Sequence, residues 1–141
     1  LRIGYLVAEP ELMRAISKAK LPYNLNIFSE FVAGKLLESP KLIEHNIEKI
    51  LEAKKTLFEQ LQSIEQLRVY TSHTNFFMVE TKFPAGQVFE RLAQTGILIR
   101  DISGYHPRLK SMLRITVGTP EENRNLVANL RKILEKMDSP Q

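Results

Sequence analysis

The chain has 141 residues, which suits one ordinary domain and is short for two. Its hydrophobic share of 43% and charged share of 26% are globular proportions that exclude a disordered or fibrous chain, and the lack of cysteine excludes disulfides and thiolate metal sites. The net charge of +4 comes from Lys and Arg interleaved with acids, as in IEKILEAKK and NLRKILEKMD, so no basic block marks a nucleic-acid surface.

The opening LRIGYLVAEP reads as a strand that starts without an initiator methionine, a polar lead-in or a cap. An edge strand needs a neighbour for its unpaired backbone groups, so something is expected to have preceded Leu1. Its apolar part is too short to span a bilayer and lacks the basic lead and cleavage site of a secretory signal. The expected compartment is therefore the cytoplasm, with neither membrane nor nucleic acid as a partner. Pro10 fits a first helical turn, and Leu12, Met13 and Ile16 share one face of a short helix ending near LPYN. A second helix starts around Asn26 or Ser29 and runs to Leu37. Ser39 and Pro40 then cap and open a long third helix, whose stripe is Ile43, Ile47, Ile50, Leu51, Phe58, Leu61 and Ile64.

Beyond this point the period changes to two. LRVY, NFFMVE, GILIR and MLRITV read as strands, with a helix between the second and third that carries Val88, Phe89 and Leu92. A last helix begins at TPEE, where Thr119 and Glu122 make a capping box around Pro120, and packs through Leu126, Val127, Leu130, Ile133, Leu134 and Met137. DSPQ is expected to fray. The fold class is α/β, a small mixed or antiparallel sheet covered by helices.

Two arginines stand out by position. Alternation in SMLRITVG puts Leu113, Ile115 and Val117 on one face and Met112, Arg114 and Thr116 on the other. A roughly symmetric hairpin loop over DISGYHPRLKS would set Arg100 directly across from Arg114. Like charges so opposed destabilise a sheet unless each reaches water or an anion lies between them. Spacing alone leaves both readings open: two solvated side chains, or a bidentate clamp for carboxylate or phosphate. His45 lies on a charged helix, and His73 and His106 sit in turn-like stretches without metal-ligand spacing. GYHPRLK reads as a plain turn. No phosphate loop, nucleophile elbow or carboxylate pair is marked out, so the chain holds binding groups but no obvious reactive one.

LRIGY resembles the end of the motif that carries the cofactor lysine in fold-type I pyridoxal-phosphate aminotransferases. LPYN, SHTNFFMVE and, above all, GILIRD followed by MLRITVGTPEEN resemble the histidinol-phosphate aminotransferase family, in order and over nearly the whole chain. The resemblance implies that residues 1–27 are the tail of the large cofactor domain, a strand and a helix, and that 28–141 are the C-terminal small domain with its long connecting helices. The Schiff-base lysine would lie upstream of Leu1, leaving no catalytic residue and no metal ligand here. Arg2 matches the arginine that binds the phosphate of pyridoxal 5'-phosphate. Arg114 matches the arginine that grips the substrate carboxylate, or the phosphate in this subfamily, and Arg100 a second anion-binding arginine. Asn75 matches a family position as well. Histidinol phosphate, glutamate and 2-oxoglutarate are the implied substrates and a homodimer the implied parent. The chain alone is expected to be inactive, to hold no cofactor and to self-associate through residues 1 to 8. Rival readings are an aromatic amino acid aminotransferase, a phosphothreonine-type decarboxylase, and a freestanding anion-binding or interaction module.

Overall fold

Caps and prolines set the helix starts, and period-two patterning sets the strands. The computed structural model describes residues 1–139. In chain order its elements are α1 (Pro10–Ser17), α2 (Ile27–Leu37), α3 (Pro40–Gln62), β1 (Leu67–Val69), β2 (Phe76–Thr81), α4 (Ala85–Ala93), β3 (Arg100–Asp101), β4 (Met112–Thr116) and α5 (Pro120–Asp138). The chain divides inside α3 into two units, Leu1–Asn46 and Ile47–Gln141.

In the first unit local signals set the structure. Pro10 occupies the first turn of α1. Asn26 caps α2, its Oδ1 accepting the N–H of Phe28 at 2.8 Å and of Ser29 at 3.3 Å. Pro40 opens α3. The expected opening strand is not formed: residues 1–9 have no ladder partner, and Arg2 takes φ 59°, a left-handed backbone that an extended strand does not pass through. Period and apolar content alone do not make a strand when no second segment supplies the hydrogen bonds. No residue of this unit is buried, and Tyr5, at 94% exposure, lies almost wholly in solvent.

The second unit holds the core. Its sheet runs β1-β2-β4-β3 and is antiparallel throughout. Alternation along β2 and β4 sends Phe77, Val79, Leu113 and Ile115 to one face, where all four are buried. That face meets Leu57 and Leu61 from α3, Val88 and Leu92 from α4, and Leu126, Val127, Leu130 and Leu134 from α5. The apolar stripes expected for α4 and α5 thus face the core, with Phe89 and Met137 half-buried at its margin. The expected third strand is shorter than its alternation: only Arg100 and Asp101 join the ladder. Ile97 and Ile99 still pack on the core while Leu98 is exposed.

The stripe expected along α3 is corrected. The helix ends at Gln62, Leu57 and Leu61 are its buried residues, and Ile64 packs beyond its end. Ile47, Ile50 and Leu51 are exposed. A helical period reports which side of a helix is apolar, not whether anything covers it. The tail is also firmer than expected as far as it is described: Asp138 is helical and accepts the Gln66 amide at 2.9 Å, whereas Pro140 and Gln141 lie outside the described residues.

Leu57 is 0% exposed and Leu51 57% exposed. Leu57→Ala should therefore cost about 2–5 kcal/mol through lost transfer energy and a cavity. Leu51→Ala should stay within about 0.5 kcal/mol, as for surface substitutions away from special features. Urea unfolding midpoints of the two variants measure this; equal costs would contradict the burial pattern.

Candidate anion-binding site

On the sheet face opposite the core, alternation leaves polar and mixed side chains. Arg114 sits in β4 between Met78 of β2 and Arg100 of β3, and Arg100 and Arg114 are direct cross-strand partners. The symmetric hairpin register expected from the sequence is the one formed. Both arginines are exposed on the same face, and neither is paired with a carboxylate among the described residues. Each instead leans on its own aromatic ring. The Arg114 Cζ lies 5.1 Å from the Phe76 ring centre, and the Arg100 Cζ lies 5.8 Å from that of Tyr105.

Arg100 and Arg114 are among the residues that line a cleft of about 490 Å³, whose other walls include Ile97, Ile99, Thr116, Gly118, Glu122 and Asn123. The first turns of α5 form that side through Glu122, Asn123, Asn125 and Leu126. Glu122 does not cancel the two arginines by pairing with them, because its carboxylate is engaged in the cap. It accepts the Thr119 N–H at 2.7 Å and the Thr119 hydroxyl at 2.9 Å, while Thr119 Oγ1 accepts the Glu122 N–H at 3.3 Å. These bonds, the backbone one first, hold the Glu122 carboxyl below its usual range. Asn123, only 5% exposed, completes the corner: its Oδ1 accepts the Gly118 N–H at 2.9 Å and its Nδ2 donates to the Gly118 carbonyl at 3.0 Å. A Cβ on Gly118 would stand 2.8 Å from Glu122 Oε2 and 3.1 Å from Glu122 Cβ, so a side chain here would have to displace Glu122 from its cap.

A third arginine on the sheet makes a useful contrast. Arg68 lies 5.0 Å from the Tyr70 ring centre, and Tyr70 donates to Glu80 at 2.8 Å. That hydrogen bond raises the Tyr70 pKa, and the nearby Glu80 carboxylate balances the local charge.

The histidines show no ligand set. His45 is exposed on α3, and His106 Nδ1 accepts the Arg108 N–H at 3.2 Å within the loop. Among the described residues no cluster of three metal-binding side chains occurs, and no helix is long and apolar enough to cross a membrane. Asn75 contributes its carbonyl, which accepts the Val117 N–H at 2.9 Å and extends the β2–β4 ladder. GYHPRLK is more than a plain turn, since it forms two 3₁₀ turns, Ser103–Tyr105 and Pro107–Leu109. Arg2 belongs to the other unit.

The family model of the class I and II aminotransferases matches residues 1–130. The chain belongs to this aminotransferase family. Among its relatives is histidinol-phosphate aminotransferase 1 of Carboxydothermus hydrogenoformans, 40% identical over 134 residues, which are 95% of this chain and 37% of that protein. The solved histidinol-phosphate aminotransferase of Clostridium acetobutylicum superposes with a TM-score of 0.79 at 23% identity, over 89% of this chain and 38% of its own. The L-threonine-O-3-phosphate decarboxylase of Porphyromonas gingivalis superposes at 0.78 with 25% identity, over 92% and 40%. The chain thus spans well under half of the proteins it matches. Two residues that the sequence patterns did not single out join the candidate site in the structure: Asn123, which lines the cleft, and Tyr105, which contacts Arg100. For Asn123 a signal was present in the quoted TVGTPEEN; for Tyr105 there was none, because its contact with Arg100 depends on the 3₁₀ turn.

The depressed Glu122 carboxyl gives a signed pH dependence. Its contribution is fully present above the ordinary glutamate pKa of about 4.3 and fades as pH falls through the lower folded-state value. The melting-temperature gap between the wild-type chain and Glu122→Ala should be constant near neutrality and narrow in acid. Gly118→Ala, which displaces Glu122, should reproduce the loss; a gap that widens in acid would contradict the cap.

Proposed function

We propose that this chain is the C-terminal part of a histidinol-phosphate aminotransferase, in which Arg100 and Arg114 clamp the anionic end of the substrate and Arg2 binds the cofactor phosphate. The carrying observation is the pair of like charges set opposite each other beside a cleft with no carboxylate partner. Two arginines that line one cleft suit a phosphate or a carboxylate, and the reaction needs both: glutamate and imidazole acetol phosphate interconvert with 2-oxoglutarate and histidinol phosphate. The 40% identity to a protein of that name supports the same assignment.

Arg2 fits the cofactor by the chemistry of its donors. It is exposed, and its planar fork has no carboxylate partner among the described residues. Pyridoxal 5'-phosphate, when bound, supplies the electron sink for transamination. This chain's own residues bind and orient. The substrate's anionic end is held at the sheet, which fixes the reacting carbon relative to the cofactor and removes translational freedom from the step. On this reading residues 1–27 are the end of the large cofactor domain and 28–141 the small domain. The family's reactive lysine lies before Leu1, and the whole enzyme is a cytoplasmic homodimer. The apolar side chains exposed on α1 and α2 support self-association of the segment alone.

The likeness to L-threonine-O-3-phosphate decarboxylase supports a second reading on the same scaffold. Release of carbon dioxide from a phosphorylated amino acid, in place of amino transfer, would favour it.

In the longer enzyme carrying this segment, Arg100→Ala should raise KM for histidinol phosphate roughly tenfold to hundredfold, the size of a lost charge-assisted contact. It should affect an aromatic amino acid much less. An unchanged KM would remove Arg100 from the clamp. The 141-residue chain alone should turn over nothing; turnover would contradict the placement of the reactive lysine. Sedimentation of the isolated chain should show assemblies larger than a monomer, and a clean monomer at high concentration would count against exposed apolar faces driving association.

A further inference from the structure

Arg100 stands in a ladder of only two residues and faces a second positive charge, so its own strand does little to fix its side chain. The loop after it supplies what the strand lacks. Asp101 Oδ1 accepts the Ser103 N–H at 2.8 Å, and the Tyr105 N–H donates to the Ile102 carbonyl at 3.1 Å. Ile102 itself is buried. This 3₁₀ turn folds Tyr105 back over β3, where its hydroxyl oxygen accepts from Arg100 Nη2 at 2.6 Å. Arg100 lines the cleft while it holds this bond. Tyr105 does not itself line the cleft, so its link to that space runs through Arg100.

An unrestrained arginine side chain samples many rotamers and loses that freedom on binding, and the charge of Arg114 opposes its staying in place. A hydroxyl that accepts one guanidinium N–H lowers the ordering cost at the moment of binding and leaves the other guanidinium N–H groups for the ligand. We propose that Tyr105 is the positioning residue of the clamp, its hydroxyl holding Arg100 in the cleft beside Arg114 before any anion arrives. This rests on the reading of Arg100 as substrate-binding. Phe76 restrains Arg114 through its ring face alone, so the two halves of the clamp are held by different means, and only the Arg100 half is sensitive to loss of a hydroxyl.

The test is Tyr105→Phe in the longer enzyme, together with Arg100→Ala and the double variant. Tyr105 is 66% exposed, so removal of its hydroxyl leaves folding intact. KM for histidinol phosphate should rise about fivefold to tenfold at unchanged kcat, and inorganic phosphate should weaken as a competitive inhibitor by the same factor. The double variant should be no worse than Arg100→Ala alone, because the hydroxyl acts only through that arginine. In the 141-residue chain, the Arg100 side-chain N–H signal in the NMR spectrum should move to the position of free arginine. If Arg100→Ala raises KM while Tyr105→Phe matches wild type, the positioning role is overturned and the Arg100 reading stands. If Arg100→Ala itself has no effect, both fall.

Discussion

The structure turns on one electrostatic constraint, the direct opposition of Arg100 and Arg114 across β3 and β4. A strand register that pairs like charges needs something else to fix it, since the pair itself pushes the strands apart. Here that support comes from the apolar neighbours and the loop. Asp101 pairs with Leu113, the Ile102 N–H donates to the Met112 carbonyl at 3.4 Å, and Leu113 is fully buried. A slip of one residue would send Arg114 into the core and Leu113 into solvent, an exchange of a desolvated charge for an exposed leucine. Core burial therefore holds the charges together, and the aromatic supports of Phe76 and Tyr105 make the arrangement tolerable.

The other wall of the cleft follows from the join between β4 and α5. Gly118 lets the chain approach Glu122, Asn123 ties off the Gly118 peptide on both sides, and Thr119 and Glu122 cap the helix. One short stretch thus satisfies the backbone groups that a strand-to-helix corner leaves unpaired. From there α5 runs into the core through Leu126, Val127, Leu130 and Leu134. The position of this wall relative to the arginines is consequently set by the most buried part of the molecule, and not by a loose loop.

Much of this was legible in the sequence, for reasons specific to each element. The stripe of α5 and the alternation of β4 are each a periodic pattern meeting a real core. The capping box is a local signal with a local partner. The register of the hairpin could be inferred because its loop is nearly symmetric about the tight turns. What stayed hidden needed a partner that pattern cannot supply. The opening strand had β-like content but no second strand, and the first half of the α3 stripe had the right period but no surface to meet. The contact between Arg100 and Tyr105 runs through a 3₁₀ turn nucleated by Asp101, and five residues of irregular backbone carry no period to read.

The two units differ in what holds them. Residues 47–141 close a core of buried side chains from the sheet and three helices, so their structure is secured by burial. Residues 1–46 bury nothing, and their helices rest on caps and prolines. Helices of 8 and 11 residues are below the length at which isolated helices persist in water. In α2 apolar side chains lie on more than one side, as in Ile27, Phe28, Phe31 and Leu37, all exposed. A helix apolar around its circumference is stable when it is covered around its circumference. The helices of residues 10–17 and 27–37 therefore lack the burial that secures the second unit, whereas Arg100 and Arg114 stand on a sheet whose other face is the closed core.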